Sequence, residues 1–242
     1  MFKLIRQGFG PILKPHISFP WEKDGVFNPG ITKIGDDIYL LYRTANEKEV
    51  NISRFGLAKS QDGLNFERLS KEPIFESKEN FDKWENEDSR ITKIGEDFYI
   101  THDLENGAKH PLLIHSSQLN DVKIGPGLSP IKTSDGWLLI YQHTRREELT
   151  NRLIYSIRAA LLDLNDPTKL ISKLDYDILI PERPYETEKE IGIIFPTGGF
   201  VHDDTLYVYY SASDRYVCLA TGSLSDLLSE LKQPFSSNSD HC

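Results

Sequence analysis

A nine-residue segment that occurs twice is the strongest constraint on what this chain can fold into. Ile31-Thr32-Lys33-Ile34-Gly35-Asp36-Asp37-Ile38-Tyr39 returns sixty positions later as Ile91-Thr92-Lys93-Ile94-Gly95-Glu96-Asp97-Phe98-Tyr99. A weaker copy runs from Ser129 to Tyr141, and a fourth from Pro196 to Tyr210. Each copy reads as strand, tight turn, strand. The turns Gly-Asp-Asp, Gly-Glu-Asp, Ser-Asp-Gly and His-Asp-Asp tolerate the unusual backbone angles of hairpins. A third strand is expected after each hairpin, at 55–60, 112–116, 154–160 and 217–223, with a further extended stretch at 65–69. Three or four antiparallel strands in each of several repeats is the pattern of propeller blades. A β-sandwich has evenly spaced strands too, but would not repeat one hairpin sequence so closely. The fold expected is therefore all-β, a β-propeller with four recognisable blades.

The 242 residues show no dividing linker, so one domain spanning 1–242 is expected. Helical spacing occurs only near the end, at about 223–231 behind serine capping candidates, and the polar tail after 235 reads as frayed. The net charge of −9 argues against a nucleic-acid partner, because phosphate backbones select basic surfaces. No run is long and apolar enough for a membrane span or a leader peptide, which gives a cytoplasmic expectation. The two cysteines, Cys218 and Cys242, read as free thiols. His102, His110, His115 and His143 fit no ligand spacing, and no metal is expected.

In a propeller, polar residues at the start of each inner strand meet in one funnel. Those positions hold Asn28-Pro29-Gly30, Glu87-Asp88-Ser89-Arg90, Gly125-Pro126-Gly127 and Phe195-Pro196-Thr197-Gly198. Second strands add Arg43, His102-Asp103 and Gln142-His143, and Asp214 lies just beyond the last. Acids, arginines, an amide and aromatics suit a carbohydrate, whose hydroxyls need paired partners and whose faces stack on rings.

These motifs resemble glycoside hydrolase family 130, the β-mannoside phosphorylases and mannosidases. The first-blade run from Asn28-Pro29 through Arg43 and Ser53-Arg54 to Gln61-Asp62-Gly63 is similar to that family. So are Glu87-Asp88-Ser89-Arg90, against a family Glu-Asp-Pro-Arg, Lys123-Ile124-Gly125-Pro126-Gly127 with Gly136-Trp137-Leu138, and Phe195-Pro196-Thr197-Gly198 with Tyr209-Tyr210-Ser211-Ala212-Ser213-Asp214. The resemblance implies a five-bladed type of propeller with one blade absent here. In such a family Asp88 would be the catalytic acid, protonating the glycosidic oxygen through the mannosyl 3-hydroxyl while phosphate or water attacks from the opposite face, with inversion. It implies that Asn28, Arg43, Arg54, Arg90 and Asp214 bind the substrate, and that Lys123 and His143 bind phosphate. No cofactor is implied beyond inorganic phosphate as co-substrate.

The chain departs from the family in two places. The sequence passes from His102-Asp103 to Lys123 without the blade that would carry a further phosphate-binding arginine. The family's Tyr-His-Gly reads Tyr141-Gln142-His143-Thr144 here.

The expected partner is an oligosaccharide or disaccharide with β-linked mannose, cleaved by phosphorolysis to mannose 1-phosphate. Hydrolysis remains open, with Glu186, Glu188 or Glu190 as an added base. So does a non-catalytic glycan-binding propeller, and so does a homo-oligomer that closes the gap. Each charged residue also has a bland reading: Asp88 as a blade-entrance hydrogen-bonder, the arginines as ties between blades, Glu186 to Glu190 as a solvated loop. Trp137 is expected in the core rather than as a sugar platform.

Overall fold

In the chain's computed structural model, residues 1–46, 52, 54–76, 87–103, 114, 120–188 and 191–233 are described. A two-residue strand, β1 (Ile5–Arg6), opens the chain. The first repeat supplies β2 (Gly25–Ile34), β3 (Asp37–Ala45) and β4 (Arg54–Ser60), with short β5 (Glu67–Arg68) and β6 (Phe75–Glu76). The second supplies β7 (Glu87–Ile94) and β8 (Asp97–Asp103). The third holds β9 (Asp121–Gly125), β10 (Ile131–Lys132), β11 (Trp137–Arg146), β12 (Leu153–Leu162) and β13 (Leu170–Lys173). The fourth holds β14 (Gly192–His202), β15 (Thr205–Ala212) and β16 (Tyr216–Ser223), followed by α1 (Leu224–Leu231).

The repeated hairpins form where the sequence repeats. Ile34 pairs with Asp37 and Ile94 with Asp97, each across a Gly at positive φ (Gly35 61°, Gly95 63°). At the fourth turn His202 pairs with Thr205 across Asp203 and Asp204, both at positive φ, as a two-residue hairpin of matching twist requires. The third copy differs. Its first strand is split into β9 and β10, which pair with opposite ends of β11, because Pro126 and Pro130 interrupt the ladder between them. The extended stretch expected at 65–69 shrinks to β5, and of the strand expected at 112–116 only Ile114 is among the described residues.

β1 was not anticipated. It pairs antiparallel with β16 (Ile5 with Thr221, Arg6 with Ala220), so the beginning of the chain completes the sheet of the last repeat. A parallel contact of β12 with β14 joins the third and fourth repeats. One apolar core lies between these two repeats and α1, with Leu138, Ile140, Ile157, Ile194, Leu206 and Leu227 closed to solvent. A second ties the first repeat to the last through Trp21, Tyr42, Tyr209 and Val217. Ser223 caps α1 as expected, accepting from the Asp226 N–H at 3.1 Å. Trp137 is not core: it is half-buried at the start of β11, its indole N–H on the Leu164 carbonyl at 3.2 Å and Lys132 over its ring.

The inner segments of the four repeats touch in succession. Thr197 Oγ1 donates to the Pro29 carbonyl at 3.0 Å, linking fourth to first. Gly30 lies against Ser89, linking first to second. Thr92 and Ser129 share a hydroxyl hydrogen bond of 2.9 Å, linking second to third, and Leu128 lies against Gly199, linking third to fourth.

Candidate functional site

At one end of these inner strands, three of them break register in the same way. Phe27 pairs with Arg43 but Gly30 with Leu41. Glu87 pairs with Asp103 but Arg90 with Thr101, and Pro196 with Tyr210 but Gly198 with Tyr209. Each step is a one-residue bulge, a device that re-aims a side chain. In the first two repeats the residue that opens the bulge is left-handed, Asn28 at φ 47° and Asp88 at φ 55°. That conformation costs a residue with a Cβ about 1 kcal/mol, least for Asn and Asp, and it persists where the surroundings impose it.

The surroundings here are specific. The Asn28 side-chain amide donates to Asp88 Oδ1. Asn28 is itself fixed by Ser211, whose hydroxyl receives the Asn28 N–H at 2.5 Å and donates to Asn28 Oδ1 at 2.6 Å. Ser211 is fully buried and escaped the sequence reading as a site residue; its only signal was its place at the end of the Tyr209-Tyr210-Ser211 strand. Asp88 remains half-buried rather than sealed. Arg90 donates from Nη1 to the Asp88 carbonyl at 2.5 Å and from Nε to the Gly127 carbonyl at 2.7 Å, with its guanidinium over the Phe195 ring.

Arg43 stands beside the first bulge, its guanidinium carbon 5.2 Å from the Phe27 ring centroid. Asp214 follows β15 at the same end, left-handed (φ 50°) and exposed, with its carbonyl against Gly25 at the start of β2. Arg54 is buried at the start of β4, its Nε on Glu76 at 2.7 Å, and it lines a cleft of about 510 Å³ with Phe19, Pro20, Trp21 and Lys71. The side chains of Glu87, His102 and Asp103, and all of Ser53, His110 and His115, lie outside what is described.

The two expected phosphate ligands are placed differently. Lys123 is exposed on β9 opposite Thr144. His143 is buried, with Nε2 at 2.7 Å from Asp121 and Nδ1 at 3.4 Å from Asp177, so carboxylates face both ring nitrogens where a phosphate was expected. Burial alone would raise Asp177, but hydrogen bonds from His143 and Arg158 (2.7 Å) outweigh it and hold the carboxyl well below its usual range.

Glu186, considered as an added base, is sequestered. It is fully buried and accepts from Arg6 Nε and Nη2 (both 2.8 Å), from the Tyr210 hydroxyl (2.9 Å) and from the backbone N–H groups of Glu182 and Arg183. Burial works to raise its pKa, yet these donors leave it below the ordinary value. Glu188 is engaged by the Tyr216 hydroxyl at 2.9 Å and by Arg215 at 3.2 Å, and Glu190 lies outside the described residues.

The site is thus a half-buried carboxyl group at the junction of the inner strands, with the Asn28 amide on it and the Arg90 guanidinium on its backbone carbonyl. Such a set can bind a polyol and exchange a proton with it. A family model for glycoside hydrolase family 130, described as beta-1,4-mannooligosaccharide phosphorylase, matches residues 11–112 and 106–233. The chain belongs to glycoside hydrolase family 130.

Two relatives match across most of the chain. A β-1,2-mannobiose phosphorylase of Thermoanaerobacter sp. (strain X514) is 29% identical, covering 91% of this chain and 97% of that one. A 1,2-β-oligomannan phosphorylase of the same strain is 30% identical, covering 88% and 74%. The first alignment runs over 299 positions, more than the 242 residues present here, so that relative carries a stretch without counterpart in this chain. The family match changes segment at 106–112, between the second and third repeats. Among solved structures, the β-1,2-mannobiose phosphorylase of Listeria innocua, in complex with β-1,2-mannobiose, superposes with a TM-score of 0.73 at 21% identity, covering 94% and 99% of the two chains. The chain therefore has the mostly-β, propeller-like fold of family 130, and like its family it is an enzyme of glycoside processing.

Proposed function

We propose that this protein cleaves β-mannosides by phosphorolysis, with inversion, releasing mannose 1-phosphate and a shortened acceptor. The observation that carries the reading is Asp88: a carboxyl group held left-handed at a bulge, at the junction of the inner strands, with Asn28 fixed against it. In the proposed reaction a phosphate oxygen bonds to the anomeric carbon as the glycosidic carbon–oxygen bond breaks. The leaving oxygen takes its proton from the mannosyl 3-hydroxyl, which is reprotonated by Asp88. Asn28, Arg43 and Asp214 hold mannosyl hydroxyls, Arg54 serves a more distant part of the substrate, and Lys123 attracts the phosphate. The four inner segments close the ring without the missing blade. Their successive contacts support this.

Phosphorolysis is preferred over hydrolysis because an inverting hydrolase needs a base for water. Of the candidate bases among the described residues, Glu186 is saturated with donors and Glu188 is engaged by Tyr216 and Arg215. The two relatives that match most of the chain are named for β-1,2-linked mannosides, which makes β-1,2-mannobiose the substrate to try first.

The test is product analysis on β-1,2- and β-1,4-linked mannosides with and without inorganic phosphate, beside an Asp88→Asn control. Phosphate-dependent mannose 1-phosphate, absent in the variant, is expected. Free mannose irrespective of phosphate would replace this reading with hydrolysis. A folded parent protein inert on every substrate would replace it with glycan binding.

A further inference from the structure

Arg90 stands where the equivalent repeats have no side chain. It is the residue that closes the second bulge, opposite Thr101, and its register equivalents are Gly30, opposite Leu41, and Gly198, opposite Tyr209. Both glycines are packed shut. A Cβ on Gly30 would come within 3.1 Å of the Ser89 carbonyl, and one on Gly198 within 2.6 Å of the Pro29 carbonyl. Of these three bulges, the one in the second repeat, which carries Asp88, leaves room for a side chain there.

Two of the three nitrogens of the side chain in that space bond protein carbonyls. Nη1 donates to the carbonyl of Asp88 itself at 2.5 Å, Nε donates to the Gly127 carbonyl of the third repeat at 2.7 Å, and the guanidinium carbon lies 5.8 Å from the ring centroid of Phe195 in the fourth. Asn28 of the first repeat holds the carboxyl end of Asp88. A planar fork that bonds two carbonyls while stacking on a ring is fixed in both position and orientation, which a lysine ammonium cannot reproduce. The carbonyl it grips belongs to the left-handed residue, whose φ of 55° needs external support.

We propose that Arg90 is a positioning residue for Asp88 rather than a ligand of the sugar: it locks the Asp88 backbone against the third and fourth repeats, so that the carboxyl group has one orientation. The inference rests on the reading of Asp88 as the acid, and it makes a claim about Asp88 that can be checked without turnover.

The test compares Arg90→Lys and Arg90→Gln with the parent, each verified as folded by thermal melting. With β-1,2-mannobiose and phosphate, kcat is expected to fall about 100-fold, the scale of a misplacement near 1 Å, with KM for both substrates within about threefold. In the unligated protein, the side-chain carboxyl 13C resonance of Asp88, assigned by its loss in Asp88→Asn, is expected to be single and sharp in the parent. In both variants it should be shifted and broadened at the same pH. A raised mannoside KM with kcat retained would overturn the proposal in favour of a sugar ligand. An unchanged Asp88 resonance would overturn it whether or not the parent turns over. An inactive parent whose Asp88 resonance still responds to Arg90→Lys would instead remove the phosphorolysis reading and leave the positioning role standing. If Arg90→Gln fails to fold, Arg90→Lys, which keeps the charge, decides both readouts.

Discussion

Asn28 and Asp88 open the same bulge in successive repeats, and the amide of the first donates to the carboxylate of the second. One repeat thus supplies the holder and the next the carboxyl group it holds, from a single backbone device used twice. Their near-equal φ values of 47° and 55° show that the likeness extends to conformation. Asn28→Ala and Asn28→Gly both remove the hydrogen bond, so both should lower kcat/KM by roughly 10- to 100-fold. They should differ in stability. Glycine accepts positive φ without cost and alanine does not, so Asn28→Ala should be the less stable by about 1 kcal/mol in urea unfolding. Equal stability of the two would show that the left-handed turn is not imposed by the fold.

The Arg6–Glu186 pair fastens β1 to the last repeat. Arg6 is 14% exposed and Glu186 fully buried, and removing one partner strands the other. Glu186→Gln should therefore cost about 3 kcal/mol, and a double-mutant cycle with Arg6→Ala should return a coupling above about 1 kcal/mol. Additive losses would mean that the strand pairing of Ile5 and Arg6 with β16 suffices alone.

The same carboxyl group sets a pH dependence. The pKa of folded Glu186 lies below its ordinary value of 4.5, so its contribution is fully present above that pH and is lost as pH falls through the lowered folded value. Asp177 is depressed from 3.8 in the same direction. Stability should decline on acidification below about pH 5, and Glu186→Gln should flatten that decline. Denaturant midpoints measured from pH 6 to 3 would show it, and parallel curves for parent and variant would refute it.

Burial raises the Cys218 thiol well above its ordinary pKa and leaves it inside the core beside Tyr210. Native protein carrying Cys242→Ser should give no rapid reaction with an aromatic disulfide reagent at pH 8, and one thiol per chain after unfolding. Rapid labelling of the folded variant would mean that the last sheet opens locally.

Much of the fold was legible because hairpins are local: the Ile31–Tyr39 and Ile91–Tyr99 copies carry strand, turn and strand within nine residues. β1 was not, since two residues have no periodicity to read. The split of the third inner strand was written in Pro126 and Pro130, but the repeat pattern overrode it. Asp88, Asn28 and Arg90 could be found as polar residues opening inner strands. What they touch could not, because the motifs that hold Ser211, Gly127 and Phe195 lie far off in sequence and do not show which residues meet. Glu186 looked like part of a solvated acidic run because its five donors come from three separate segments.

Lys123 and His143, the two residues expected to bind phosphate, stand in opposite environments on adjoining strands. Ile124 pairs with His143 and Lys123 with Thr144, so the two lie one ladder position apart, yet Lys123 is exposed while His143 is enclosed by Asp121 and Asp177. A cation open to solvent can attract phosphate, whereas an imidazole flanked by two carboxylates presents a field that repels it. Lys123→Ala should raise the KM for phosphate about tenfold, the loss of one charge-assisted contact, and leave the mannoside KM and the melting temperature unchanged. His143→Ala should do the reverse, leaving Asp121 and Asp177 facing each other and lowering stability by about 2–3 kcal/mol, with little change in phosphate KM in the fraction that stays folded. A phosphate KM that moves only with His143 would return that residue to the anion site and place Lys123 outside it.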